Sequence, residues 1–383
     1  MPEHYIPYST QSIDQEDIDA VIRTLQSGWL TTGPMVCQFE EAVAAYCGAR
    51  FGIAVASGTA ALHAAVHAAG LGPGDEIIVP PLSFVATANA VLYAGATPVF
   101  TDVAPHTLLL DPTQVEKKIT HRTKAIIAVD YAGHPCDYDE LRRLCRQRRL
   151  LLIADACHSL GGGYKGQKCG SLAQMTALSF HPVKPITTGE GGMVLTDNEH
   201  FAEQIRTFRN HGIAGDFRTR QQQKHWRYEM VDLGYNLRLS DIHAALGLSQ
   251  LSKIDLWTAK RNEIAAQYND TFARHAAIQP LTCRPDVTHS RHLYVVRVAN
   301  RSEVFTAMRQ ENVGVNVHYL PIHLQPYYRQ RFDTGPGDCP IAENAYEQIL
   351  SLPLFPAMSQ NDIECVIACL LKAVRKHGGE ELQ

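Results

Sequence analysis

The sequence predicts an α/β fold: a mostly parallel seven-stranded sheet with helices on both faces, followed by a smaller C-terminal α+β domain. Two observations carry this. From about Phe51 to Thr196, short apolar runs alternate with helical runs, the rhythm of βαβ units. Several of those runs are apolar throughout, as strands covered on both faces are. A chain of 383 residues suits one large and one small domain rather than a single core. The expected division is 1–255 and 256–383, with N-terminal residues packing on the smaller part.

The strand candidates, in order, are Gly52–Ala56, Glu76–Val79, Pro98–Phe100, Lys124–Val129, Leu150–Ala154, Ala177–Ser179 and Met193–Leu195. Helical patterns fill the gaps at Ala60–Ala69, Val85–Ala94, Tyr138–Arg148 and His200–Asn210. Asp197-Asn198 and Ser240-Asp241 read as helix starts. Residues 212–231 are polar, carry Gln221-Gln222-Gln223, and read as a surface segment or flap. One long helix is expected over Asp241–Phe272. Beyond it, His292–Val298 and Val313–Tyr319 read as strands, and Ser302–Gln310 and Asn361–Lys376 as helices.

Composition narrows the function. Apolar content is 45% and charged content 19%, the balance of a globular chain. A net charge of −4 with no basic run argues against nucleic acid or an anionic membrane as partner. No apolar run reaches transmembrane length. Met1-Pro2-Glu3-His4 lacks a basic-then-apolar pattern, so a cytoplasmic location is expected. The ten cysteines lack paired C-x-x-C spacing and read as reduced thiols. Cys157-His158 has no partner ligands at zinc spacing, so no metal is expected.

Lys184 precedes the turn Gly189-Glu190-Gly191-Gly192, and Asp155 ends the apolar run Ile153-Ala154. Alone, each reads as a solvated lysine and a helix cap. Together they fit pyridoxal phosphate: an amine to form a Schiff base with the cofactor aldehyde, and a carboxylate to keep the pyridine nitrogen protonated. Ser57-Gly58-Thr59 follows a strand and opens a helix, where free N–H groups and the helix dipole attract a phosphate. Capping by Ser57 or Thr59 is compatible with that role. The missing G-K-[ST] ending excludes a P-loop, and Gly161-Gly162-Gly163 is not a dinucleotide fingerprint. Phe84 sits where an aromatic ring stacks on a cofactor face, or packs in the core. His158 could hold the cofactor hydroxyl or the aspartate, or be an ordinary buried histidine. Asn236 and Arg238, in Tyr235-Asn236-Leu237-Arg238, suggest an anion or an interface.

These motifs resemble the sugar-nucleotide (DegT-type) aminotransferases of PLP fold type I. The resemblance runs from Trp29-Leu30-Thr31-Thr32-Gly33-Pro34 to Ser351-Leu352-Pro353-Leu354-Phe355-Pro356. It implies that Lys184 carries the cofactor, Asp155 pairs with its ring nitrogen and His158 supports the ring. It also implies that Gly58, Thr59 and Ser179 hold the phosphate, and that Asn236 reaches it from the partner subunit of a homodimer. Many members have Gln where this chain has His158. The stretches Ser179–Gly192 and Val317–Arg329 are most similar to the branch serving pseudaminic acid biosynthesis. That implies L-glutamate as donor and a UDP-linked 4-keto-6-deoxy-N-acetylhexose as acceptor. Thr31, Thr187, Glu190, Arg238, His318, Tyr319 and His323 are the candidate sugar contacts, packing in the small domain being the alternative for the last three. Another nucleotide-linked ketosugar, or a catalytically silent protein on this fold, are the competing readings. Related dehydratases carry histidine in place of the lysine, so Lys184 speaks against dehydration.

Overall fold

The structure is a computed structural model that describes residues 4–215 and 226–377. Its centre is one sheet of seven strands: β1 (Phe51–Val55), β2 (Glu76–Val79), β3 (Thr97–Phe100), β4 (Thr123–Val129), β5 (Leu151–Asp155), β6 (Met175–Ser179) and β7 (Gly192–Thr196). The order across the sheet is β1-β7-β6-β5-β4-β2-β3. Only β7 runs antiparallel to its neighbours, β1 and β6. Ile77, Ile78, Val79, Ile126, Ile127, Ile153 and Ala154 are buried, as central strands of a helix-covered sheet require. All seven expected strands are present, to within a few residues at each end.

The helices are α1 (Gln15–Gln26), α2 (Pro34–Cys47), α3 (Gly58–Ala68), α4 (Ala86–Tyr93), α5 (Pro112–Lys118), α6 (Tyr138–Arg148) and α7 (Glu199–Phe208). After them come α8 (Asp241–Leu251) and α9 (Ile254–Phe272). The single long helix expected over 241–272 is therefore two. Lys253 lies at the break, where its N–H returns to the Gln250 carbonyl. Its ammonium is drawn to Asp14 at 2.5 Å and Asp17 at 3.0 Å, which ties the break to the capped start of α1. The Gln221–Gln223 part of the expected flap lies outside the described residues.

In the last third, β8 (Gln279–Pro280), β9 (Tyr294–Arg297) and β10 (Ile349–Leu352) form an antiparallel sheet in the order β8-β9-β10. The expected strand over 313–319 is not continuous. It makes single bridges, Val313 to Ile6 and Asn316 to Ser351. A helix over Arg301–Gln310 (α10) and one over Gln360–His377 (α13) pack on this sheet, with α11 (Pro326–Phe332) and α12 (Pro340–Gln348) between them in sequence. Ile6, Tyr268, Tyr294, Val304, Leu350 and Leu370 share one buried cluster. Among the described residues, no helix is long and apolar enough to cross a membrane.

Candidate active site

The parallel strands deliver the candidate residues to one edge of the sheet. Asp155 and Ser179 are the last residues of β5 and β6, and the Ser57 loop follows β1. Ligands of open α/β sheets gather at such carboxyl ends. Gly192 completes the grouping, because it is the register partner of both Val55 and Ser179. A Cβ on Gly192 would lie 2.3 Å from the Ser57 carbonyl oxygen, so only glycine lets the β7 backbone pass the loop. A Cβ on Gly58 would meet the Ser179 Cβ at 2.8 Å and the Cys157 Sγ at 3.1 Å. Ser57, Gly58, Ser179 and Cys157 thus close around one small space.

Ser57 is the N-cap of α3, and its hydroxyl accepts from the Ala60 N–H at 3.1 Å. Thr59, on the first turn, is half-buried. The remaining N–H groups of that turn and the helix dipole suit a phosphate.

Both oxygens of the Asp155 carboxylate accept hydrogen bonds. The Thr87 hydroxyl donates to Oδ2 at 2.6 Å, and the Cys157 N–H to Oδ1 at 3.3 Å. Thr87 is in turn bonded to the Ser83 hydroxyl at 2.7 Å. The sequence reading missed Thr87 and Ser83. A threonine inside an alanine-rich helical run carries no local sign that it faces an acid distant in sequence.

Lys184 lies on the loop between β6 and β7, which closes on itself through Phe180 N–H to Gly191 O and Thr188 N–H to Phe180 O. Burial lowers the basicity of the Lys184 amine, with Cys157 and Asp155 acting in the opposite direction. Three imidazoles surround it. His158 is pushed well below its usual range by burial, then by Lys184 and His318. His318 falls to about 4, through burial and then Lys184. The rings of His158 and His292 lie 4.4 Å apart. The Tyr319 hydroxyl pairs with His158 Nε2 at 3.2 Å, while His158 Nδ1 is buried with no hydrogen-bond partner among the described residues. His318 Nδ1 bonds the Ser351 hydroxyl at 2.8 Å, and the Tyr131 hydroxyl bonds the His318 carbonyl. Phe84 is 57% exposed and stands 6.1 Å from the Tyr319 ring.

The other candidates lie elsewhere. Thr187 is buried, and its hydroxyl donates to Phe180 O and accepts from Gly189 N–H, so the turn uses it. Glu190 is exposed, and its carbonyl accepts from the Thr188 hydroxyl. His323 is buried against Phe100 and Glu343, with Nε2 2.9 Å from Glu343 Oε1. Thr31 bridges Ser240, Asn236 is exposed beside Asn210, and Arg238 donates to Asn210 at 2.8 Å. Asn236 and Arg238 lie on one strip of chain that passes the Ser57 loop, since Ala56 N–H donates to Leu237 O, and Thr31 pairs with that strip at Ser240.

An amine near an anchored carboxylate, with a helix N-terminus suited to a phosphate, is the set of groups that pyridoxal phosphate chemistry requires. Residues 11–371 match the model of the DegT/DnrJ/EryC1/StrS aminotransferase family. The chain belongs to this family. It is 41% identical over 380 residues to the spore coat polysaccharide biosynthesis protein SpsC of Bacillus subtilis, covering 97% of this chain and 98% of that one. A putative sugar aminotransferase, Spr1654 of Streptococcus pneumoniae, in its PLP form, superposes with a TM-score of 0.91 at 32% identity, covering 97% and 99% of the two chains. Helicobacter pylori PseC, an aminotransferase involved in the biosynthesis of pseudoaminic acid, gives a TM-score of 0.91 at 33% identity, covering 97% and 100%. The chain is a PLP-dependent sugar aminotransferase of fold type I. The residues present fit the cofactor: a cradle in which a Gly58 Cβ would crowd Ser179, a His158 Nδ1 without a hydrogen-bond partner among the described residues, and an exposed aromatic at Phe84.

Proposed function

We propose that this enzyme moves the amino group of L-glutamate to C4 of UDP-2-acetamido-2,6-dideoxy-β-L-arabino-hex-4-ulose. The product is UDP-4-amino-4,6-dideoxy-N-acetyl-β-L-altrosamine, on the route to pseudaminic acid. The observation that carries the transaminase reading is Lys184, its basicity lowered by burial, in one cluster with the doubly anchored Asp155. The sugar rests on the likeness to PseC and on the Val317–Arg329 stretch.

In this reading pyridoxal phosphate, when bound, supplies the electron sink that lets an amino group leave one carbon and join another. Ser57, Gly58, Thr59 and Ser179 hold its phosphate, and Phe84 covers one ring face. The Asp155 carboxylate holds the proton on the ring nitrogen. His158 offers its Nδ1 toward the ring hydroxyl, because Nε2 is taken by Tyr319. Lys184 Nζ anchors the cofactor and then moves the proton between carbons, a task suited to an amine of lowered basicity. Residues 1–255 form the cofactor-binding part and 256–383 the smaller part, a division supported by the separate cluster of Ile264, Tyr268, Val296, Val366 and Leu370.

The substrate test offers the holoenzyme glutamate with the L-arabino and the D-xylo 4-ketosugar, and reads products by mass and NMR. A site that hydrogen-bonds sugar hydroxyls rejects the wrong epimer, which leaves buried polar groups unpaired. The L-sugar is expected to be preferred. Preference for the D-sugar removes the pathway and keeps the transaminase.

The same reading makes the enzyme a homodimer with shared sites, Asn236 reaching the partner's phosphate loop. Support comes from exposed apolar side chains on the strip that carries it, Met230, Val231, Leu233 and Tyr235, and from exposed Leu30, whose carbonyl accepts from Asp241 N–H beside that strip. Mixing inactive Lys184→Ala with inactive Asn236→Ala under subunit exchange should restore activity, since one hybrid site regains both native residues. Absence of recovery, once exchange is verified, argues that each chain completes its own site.

A further inference from the structure

An open groove of about 810 Å³ lies at the opposite end of the sheet from Lys184. Leu152 and Gln174 line it near the amino ends of β5 and β6, whose carboxyl ends carry Asp155 and Ser179. A five-residue strand spans roughly 15 Å, so the groove is remote from the cofactor cluster.

Its wall is a stripe of arginines. Arg142, Arg146 and Arg149 follow one another at spacings of four and three, which puts them on one side of α6 and its cap. Arginines elsewhere on the same helix have acids: Arg143 pairs with Glu140 at 2.9 Å and Arg148 with Glu116 at 3.4 Å. Arg142 spends two donors on the carbonyls of Leu172 and Ser171. Arg146 and Arg149 make no ion pair among the described residues. Arg149 also takes a left-handed cap conformation, φ 56°, where glycine or asparagine costs less.

The rest of the groove matches an anion with an apolar end. Gln174 Oε1 accepts from Leu152 N–H, and Asn198 Oδ1 accepts from His200 and Phe201 N–H. Both side chains are exposed with their oxygens committed to backbone N–H groups, which leaves the NH₂ groups as donors for a ligand. Asp197 is the acid in the lining, and its Oδ1 accepts from Arg50 N–H. Three guanidinium groups against one carboxylate leave a surplus of two positive charges, and the half-buried Phe201 ring supplies an apolar surface. Guanidinium forks suit phosphate oxygens, and an aromatic face suits a base.

We infer that this groove is a second ligand site that binds a nucleoside diphosphate, with Arg142, Arg146 and Arg149 on the phosphates and Phe201 against the base. The test is calorimetric titration of the holoenzyme with ADP, UDP and inorganic phosphate. The variants are Arg146→Ser/Arg149→Ser and, as a control of equal charge, Arg143→Ser/Arg148→Ser. The native enzyme should take up one equivalent of ADP per chain. The first variant should weaken that uptake by about tenfold or more, the factor carried by one charge-assisted hydrogen bond. The control should bind as the native enzyme does, and both variants should keep native transaminase activity. UDP should occupy one more equivalent in the native enzyme than in the first variant, whether or not it also binds near Lys184, so the result is independent of the proposed substrate. Absence of ADP uptake, uptake retained by the first variant, or equal loss in the control overturns the inference. Inorganic phosphate binding as tightly as ADP overturns the nucleoside part.

Discussion

Replacing Lys184 with alanine is expected to abolish turnover while the protein still binds cofactor. The proposed phosphate cradle, Ser57, Gly58, Thr59 and Ser179, sits after β1, on α3 and at the end of β6, and none of these positions depends on the lysine side chain. What disappears is the half-buried amine, of lowered basicity, that feels the charges of Cys157 and Asp155. As proton carrier alone, a positioned side chain contributes about 10²–10⁴-fold. Loss of the covalent anchor adds to that. Borohydride reduction of the native holoenzyme followed by peptide mapping should label Lys184, and the variant should carry no label. A label on another lysine removes Lys184 from this role, whatever the variant's activity.

The sheet was legible because its strands are apolar on both faces, and such runs stand out between helical patterns. The grouping of Asp155, Ser179 and the Ser57 loop was legible for a related reason. Asp155 and Ser179 end strands, Ser57 follows one, and parallel strands bring their ends together wherever the fold is an open sheet. What stayed hidden depends on contacts between distant segments. Thr87 looks like one more residue of an alanine-rich helix until the fold aims it at Asp155. Tyr319 was readable as polar and aromatic, but its bond to His158 requires the packing of residues 313–320 against the large sheet. The break between α8 and α9 has no glycine or proline to announce it, and follows from Lys253 meeting Asp14 and Asp17. Turn residues were hard for the opposite reason. Thr187 and Glu190 lie beside glycines near Lys184, yet the Thr187 hydroxyl serves the turn backbone. The arginines of α6 fall within an expected helix, and only the structure divides them into members with and without an acid partner among the described residues.

Asp155→Asn is expected to cost most of the activity in a protein that is still folded and still carries cofactor. The carboxylate is buried, and its two oxygens are oriented by the Thr87 hydroxyl and the Cys157 N–H. Orientation of this kind matters because the charge must already be in place when the ring nitrogen needs its proton. Asparagine has nearly the same shape and leaves the backbone contacts of β5 with β4 and β6 untouched. It has no negative charge, so it does not favour the protonated ring nitrogen on which the electron sink depends. By comparison with other preorganised electrostatic partners, the loss is roughly 3 kcal/mol or more in the barrier, about a hundredfold in kcat. The amide also turns a donor toward either Thr87 or the Cys157 N–H, so a modest fall in Tm is expected alongside. Circular dichroism, cofactor content and kcat for the half-reaction with glutamate separate the two effects. A folded, cofactor-loaded variant whose kcat barely changes would show that the proton on the ring nitrogen is held by some other group.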